Sequence, residues 1–302
     1  MVVDEFRELL EQHVRPDGTT AIEGVRICQA APSGTPETGM SGTVLAVIAQ
    51  GRKRLALGEL IYEYGVGQYL IASVDLPVTG HFLGEMPGSP ALGFGMTLEP
   101  AEIAEMLLTS GPVELSPYAE AARPGIAVSE APVELMEAIV RLLRLLDRPQ
   151  DRAALAPLVK REIVWRLITG DQGDAVRQLG LADSGLSHIR RAVRWIRENY
   201  VRSFRVEDLA RLAGMSVSAF HRNFREVTAM TPVQFQKHIR LQEARLLLAH
   251  HPKDVTAVSY QVGYKNPSQF SREYRRHFGA PPRVDAMRLK GGEAPGPVQA
   301  LP

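Results

Sequence analysis

Ser218, His221, Arg222 and Arg225 fall on one side of a short helix that Ser216 starts, because Val217, Phe220, Phe224 and Val227 claim the other side for burial. A small, polar, cationic helical face suits the major groove of DNA. There arginine takes guanine edges bidentately, and shorter polar groups reach bases or phosphates. The arrangement recurs about fifty residues on: Phe270 and Tyr274 face inward from a helix over 267–278, leaving Pro267, Ser268, Ser271, Arg272 and Arg275 outside. Pro267 has no side-chain donor, so the second helix is expected to read more by apolar contact or shape. Arg222 and Arg272 are the favoured base readers; a phosphate contact that positions without specifying is the other use of each polar position.

Other chemistry is poorly provided for. Cys28 is the single cysteine, so an internal disulfide and a cysteine-rich zinc site are both excluded. Residues 1–186 hold two histidines, His13 and His81, too few for a histidine-based metal centre. No metal, cofactor or catalysis is expected.

The elements that must position the two cationic faces are legible in charge and period. Residues 1–186 carry 15 Lys+Arg against 25 Asp+Glu, a balance of −10, whereas residues 187–290 carry 20 against 8, a balance of +12. An acidic body thus precedes a basic region fit for a polyanion. Inside the basic region, a helix over 206–213 ends at Gly214 and a helix over 255–262 ends at Gly263, each followed by one of the cationic helices. Glycine supplies the left-handed turn between such helices. Thr231 and Pro232 start a strut that runs to about Ala249, with Ile239, Ala244, Leu247 and Leu248 available for burial. Such a strut spans about 27 Å, and successive major-groove faces lie about 34 Å apart, so one rod can hold both cationic helices on one side of a duplex.

Upstream, residues 1–20 read as an amphipathic helix with Phe6, Leu9, Leu10 and Val14 on one side. Short runs at 43–49, 55–61 and 68–74, broken by glycine and proline, read as strands of an all-β sandwich or barrel extending to about residue 98. Helices are expected over 101–108, 133–146 and 155–168, the last with Leu155, Val159, Val164, Leu167 and Ile168 inward. The stripe Met136, Ile139, Val140, Leu143 and Leu146 leaves two uses open, packing against its own barrel or pairing two copies of the chain. The prolines at 112, 117, 124 and 132 mark a connector, and 291–302 lacks the composition to bury anything. No apolar run reaches the roughly 18 residues of a membrane helix, and the acidic start is unlike a signal peptide, so a cytoplasmic protein is expected.

Gly214-Met215-Ser216 with Phe220-His221-Arg222-Asn223-Phe224, the strut's Arg240-Leu241-Gln242-Glu243-Ala244-Arg245-Leu246-Leu247, and Gly263-Tyr264 with Ser268-Gln269-Phe270-Ser271-Arg272-Glu273-Tyr274 and Phe278-Gly279 resemble the AraC/XylS family of transcription regulators. The resemblance covers residues 187–283 and implies a double helix-turn-helix DNA-binding domain whose groove-facing positions match Ser218, His221, Arg222, Pro267, Ser268, Ser271 and Arg272. The chain departs from the family after Phe278-Gly279, where Pro281-Pro282 leads into Arg283-Val284-Asp285-Ala286-Met287-Arg288 instead of proline, two residues and Tyr-Arg.

The stretch from Arg52 to Gly80 is similar to the N-terminal domain of a subgroup of these regulators. That similarity implies a cupin-like β-barrel that senses a small effector and dimerises, in a subgroup whose effectors include small carbonyl metabolites and cyclic di-GMP. Arg54, Glu63, Tyr64, Tyr69, Asp75 and His81 are the polar and aromatic candidates for contact with the effector, and alternation alone does not say which point inward. The expected fold is therefore mixed α and β. Residues 1–110 form the first helix and sensing barrel, 111–182 a helical connector, 183–290 the all-α DNA-binding domain and 291–302 a disordered tail. Double-stranded DNA, a small-molecule effector, RNA polymerase and a second copy of the chain are the implied partners, with no membrane. Two other classes stay open. One is a constitutive DNA-binding protein whose barrel meets protein partners. The other is a DNA-modifying enzyme with a borrowed reading module, which the Ile27-Cys28-Gln29 setting disfavours because alkyl transfer needs an activated thiolate.

Overall fold

The computed structural model describes residues 2–30, 37–83, 90–109, 124–182, 184–250, 254–290 and 298–299. In chain order the elements are α1 (Val2–His13), β1 (Val25–Ala30), β2 (Glu37–Met40), β3 (Val44–Gln50), β4 (Arg52–Leu57), β5 (Leu60–Gly65), β6 (Gln68–Ala72), β7 (Pro77–Leu83), β8 (Ala91–Thr97), α2 (Pro100–Thr109), β9 (Ile126–Glu130), α3 (Val133–Arg144), α4 (Pro149–Thr169), α5 (Gly173–Gly180), α6 (Gly185–Glu198), α7 (Val206–Leu212), α8 (Val217–Thr228), α9 (Pro232–His250), α10 (Val255–Gln261), α11 (Pro267–Phe278), α12 (Pro282–Lys290) and β10 (Val298–Gln299). The fold is mixed α and β, with an N-terminal sheet domain and an all-α C-terminal domain, as the sequence led us to expect.

The strands do not close into a barrel. They form two five-stranded sheets, ordered β1-β8-β3-β6-β9 and β10-β2-β7-β4-β5. The chain crosses repeatedly from one sheet to the other, and two of the crossings are made at glycines. Gly51 at φ 81° turns the chain from β3 in the first sheet to β4 in the second, and Gly67 at φ 83° turns it back into β6. Positive φ comes at no steric cost to glycine. At this seam a bridge from Ile48 to Val66 joins the sheets, so they stack as a partly joined sandwich among the described residues.

Several boundaries differ from those expected. The run over 55–61 is two strands, β4 and β5, with Gly58 at φ 60° in the turn between them. Strand β9 falls in the segment expected to be a helical connector, and pairs with β6 to complete the first sheet. The prolines at 112 and 117 and most of the tail lie outside the described residues, while Val298 and Gln299 pair parallel with β2. Leu155 is exposed because α4 begins at Pro149 and its first turns project beyond the core.

The stripe on α3 is internal. Met136, Ile139, Val140 and Leu143 are at most 5% exposed, packed with α1 and α4 over the first sheet. Leu146, just past the helix, is half-buried, and of the two uses the sequence left open this fold shows the first, packing within the chain's own domain. Phe6 of α1 meets Phe94 of β8 edge-on at 6.3 Å, and Arg144 pairs with Glu5 at 2.6 Å, which fixes the N-terminal helix to α3.

Candidate DNA-reading face and sensing domain

In the first unit Gly214 turns at φ 66°, and the Ser216 hydroxyl accepts the Ala219 amide at 3.3 Å. Phe220, Phe224 and Val227 are buried at 0%, 0% and 1% exposure. Val217 is 40% exposed, so the buried stripe of α8 starts one turn later than the periodicity implied. Ser218, His221, Arg222 and Arg225 all face solvent on α8, on one side of the domain. Phe224 packs against Phe235 of α9 at 5.6 Å with perpendicular rings, which sets the angle between the cationic helix and the strut. A reciprocal cap begins α9, where the Gln234 amide donates to the Thr231 hydroxyl at 3.3 Å and the Thr231 amide to Gln234 Oε1 at 2.8 Å.

The second unit repeats this with different chemistry. Gly263 turns at φ 89°, where a Cβ would stand 2.5 Å from the Val201 carbonyl. Asn266 caps α11 by accepting the Ser268 and Gln269 amides, and Pro267 occupies the first turn. Phe270 and Tyr274 are fully buried, Ser268, Arg272 and Arg275 face solvent, and Pro267 and Ser271 are half-buried beside them. Nineteen residues give the strut about 28 Å of length.

Polar networks that the sequence did not reveal hold α11 in place. Lys237 of α9 pairs with Glu273 at 3.0 Å, and Tyr264 donates to the same carboxylate at 2.8 Å. Burial pushes Glu273 upward, but the Lys237, Tyr264 and Gln269 hydrogen bonds outweigh it and hold the carboxyl below its usual range. Asp285 of α12, 5% exposed, accepts from Arg245 at 2.9 and 3.2 Å and from Tyr274 at 2.8 Å. This triad stands where the chain departs from the family pattern. His238 and His277 meet edge to face at 4.6 Å, and burial, with His238, Arg245 and Lys237 nearby, pushes His277 down to about 3.

The six effector candidates do not converge. Arg54 and Glu63 pair at 2.9 Å on the outer, exposed face of the second sheet, and His81 shares that face by register. Tyr69 faces the helices, within hydrogen-bonding reach of Ser129. Asp75 accepts the Gly42 amide at 2.9 Å and pairs with Arg197 of α6. Tyr64 alone of the six faces the space between the sheets, near Cys28. Its hydroxyl is buried without a hydrogen-bond partner, and burial raises its pKa. Register places Lys53 and Phe82 beside it, the Lys53 ammonium lying 4.5 Å over the Phe82 ring. Opposite stand Cys28, Gly93, Gly95 and Ala46 of the first sheet. A recess of about 270 Å³ opens at the domain boundary, between Met40 of β2 and Arg194, Arg197, Glu198, Ile239 and Glu243 of α6 and α9. No cluster of three or more potential metal ligands exists among the described residues.

Two family models match. The N-terminus of AraC-type transcriptional regulators matches residues 21–175, and a helix-turn-helix domain matches residues 209–286. Among curated relatives, the HTH-type transcriptional activator RhaS of Escherichia fergusonii is 25% identical over 158 residues, covering 49% of this chain and 53% of that one. RhaS of Salmonella schwarzengrund is 24% identical over 152 residues, with the same coverage. The chain thus spans about half the length of the curated relatives it matches. Among solved structures, an apo variant of ToxT from Vibrio cholerae superposes with a TM-score of 0.54 at 10% identity, covering 89% of this chain and 99% of that one. Wild-type ToxT with an unsaturated fatty acid bound gives 0.52 at 9% identity, with 88% and 95% covered. At such identities the likeness is one of fold.

Proposed function

The chain belongs to the AraC/XylS family of transcription regulators, and we propose that it is a ligand-responsive, sequence-specific DNA-binding activator without catalysis of its own. Two cationic helical faces, each backed by buried aromatics and joined by one rigid strut, carry this reading. Arg222 and Arg272 reach base edges in adjacent major grooves on one side of the duplex, while Ser218, His221, Arg225, Ser268, Ser271 and Arg275 contact bases or phosphates and Pro267 makes an apolar contact. The protein works where the DNA is, in the cytoplasm, with RNA polymerase and a second copy of itself as partners.

The two-sheet domain senses the effector. The unpaired Tyr64 hydroxyl supports a site between the sheets, because a buried polar group without a partner costs free energy that a ligand's acceptor would relieve. ToxT, which shares the fold, has been crystallised with an unsaturated fatty acid, so a small organic molecule is the class to screen first. Footprinting on duplex DNA tests the DNA reading; two adjacent major-groove contacts per chain are expected, and protection of a single groove would refute it. Affinity should fall with salt in the manner of roughly 6 to 10 phosphate contacts. A thermal-shift screen tests the sensor: an effector raises the melting temperature and shifts DNA affinity, and a ligand that does the first without the second leaves a constitutive binder.

A further inference from the structure

Two hydrophobic cores divide the DNA-binding domain unequally. The first unit, with Phe220, Phe224, Phe235 and Ile239, shares one continuous core with the sheets, whereas Leu241, Ala244, Leu248, Val258, Val262, Phe270, Tyr274 and Ala286 form a separate core in the second unit. The first unit is seated at a defined place. Helix α8 ends in Ala229 at φ 56°, the one non-glycine residue with positive φ among those described. A side chain in that conformation is strained, and persists where surrounding contacts hold it.

Local bonds hold the turn itself, the Ala229 amide donating to the Arg225 carbonyl at 2.8 Å and the Thr228 hydroxyl donating to the Met230 carbonyl, and the sheet domain adds contacts on either side of it. The turn at Ala229 presents the Val227 carbonyl to the Gly125 amide, which donates to it at 2.9 Å. Gly125 is glycine by necessity, since a Cβ would stand 2.6 Å from that carbonyl. Across the seat, a Cβ on Gly58 would come within 3.2 Å of the Ala229 carbonyl, and Met230 beside it is 2% exposed. The Gly125 carbonyl takes the Ser73 amide at 2.8 Å, and Asp75, two residues on, pairs with Arg197 of α6. The segment leaving β6 therefore grips both α6 and the end of α8. By contrast, no hydrogen bond or ion pair among the described residues joins α10, α11 or α12 to the sheets, and the sheets' hold on this side of the domain is on the shared strut, where Gln242 of α9 donates to the Gly39 carbonyl of β2 at 3.4 Å.

From this asymmetry we infer that the sheet domain acts on DNA through the first helix-turn-helix unit, by its hold on the end of α8, while the second unit is an anchor outside its control. The inference rests on the sheet domain being the sensor. A shift of β6 or of the β4–β5 turn on effector binding re-aims Arg222 and leaves Arg272 where it was. The seat is an interaction surface whose partner is this chain's own reading helix.

Two substitutions loosen the seat without touching a DNA-facing residue. Asp75→Asn keeps an acceptor for Gly42 but surrenders the charge opposite Arg197, and Gly58→Asn keeps a residue that tolerates positive φ while crowding Ala229. With half-sites mapped by footprinting, each variant is titrated by fluorescence anisotropy against duplexes in which one half-site or the other is scrambled. We expect at least about a fivefold change on the duplex retaining the first unit's half-site, and under about twofold on the one retaining the second's. Equal change on both duplexes, or none with either variant, overturns the inference. Amide exchange across the sheets checks that each variant is folded. No effector enters this experiment, so its failure and the failure of the sensing reading are separable.

Discussion

Replacing Asp285 with alanine strikes a buried carboxylate at the centre of the second unit. Its carboxylate, 5% exposed, takes two hydrogen bonds from Arg245 and one from Tyr274. Without it, the Arg245 guanidinium, 12% exposed, is left uncompensated, a loss of about 3–5 kcal/mol for a buried pair. Tyr274 also loses its acceptor, worth about 1–3 kcal/mol, but the two losses share one cavity and are not summed. The Phe278 ring, 4.8 Å beneath the guanidinium, retains part of its hold on the charge, so we expect about 3 kcal/mol in all. The loss should be local because the second unit has its own core. Both tryptophans, Trp165 and Trp195, lie outside that unit. Urea unfolding followed by tryptophan fluorescence should therefore barely move, while amide exchange in α10–α12 accelerates. Asp285→Asn, which keeps an acceptor for Tyr274, should fall between, and the triple change Arg245→Met, Tyr274→Phe, Asp285→Leu should recover much of the stability. A cost below about 1 kcal/mol, or a tryptophan transition that shifts as far as the exchange, would refute the argument.

Arg222→Ala and Arg272→Ala should each cost about 1–3 kcal/mol on the specific site and little on random DNA, measured by anisotropy; equal losses on both would make them phosphate contacts. His277 is held neutral in the fold with a pKa pushed down to about 3, against about 6.5 unfolded. Its contribution to stability is therefore complete above about pH 6.5 and is lost as the pH falls toward 3, at up to about 1.4 kcal/mol per pH unit. His277→Gln should flatten that slope in urea titrations of the second unit, and an unchanged slope would remove His277 from the account. Tyr64→Phe removes a buried hydroxyl that has no partner, so it should raise the melting temperature of the effector-free protein while weakening the response to effector. A destabilised variant would mean that the hydroxyl is satisfied after all.

The DNA-reading half was legible because its signals are local. Gly214 and Gly263 each sit at the turn they announced, Ser216 caps the helix that follows it, and α8 and α11 begin and end at the residues expected, while the Asn266 cap of α11 came from the structure. Period, cap and turn residue all act within about one helical turn, so a single sequence contains them whole. The sheet domain was less legible. Alternation marked strands, but not that Gly51 and Gly67 pass the chain between two sheets, so a closed barrel and a stacked pair read alike. An unbroken run over 55–61 concealed a hairpin whose single punctuation mark is Gly58.

Side-chain roles failed to show wherever the partner is far away in the chain. Asp75 looks in sequence like any polar residue at a strand end, and its partner Arg197 is 122 positions away on a helix of another domain. Arg54 and Glu63 stand opposite each other in a hairpin, and with the register fixed their pairing on the outer face follows, which withdraws both from the space between the sheets. The α3 stripe shows the same limit from the other side. A helix amphipathic enough to pair two chains is equally amphipathic enough to pack on its own α1 and α4, and period cannot distinguish the partners. What decides is the supply of apolar surface elsewhere in the chain. Helix α1, through Phe6, Leu9 and Leu10, and helix α4 share the burial of that stripe, and a pairing surface is to be sought on the faces they leave open.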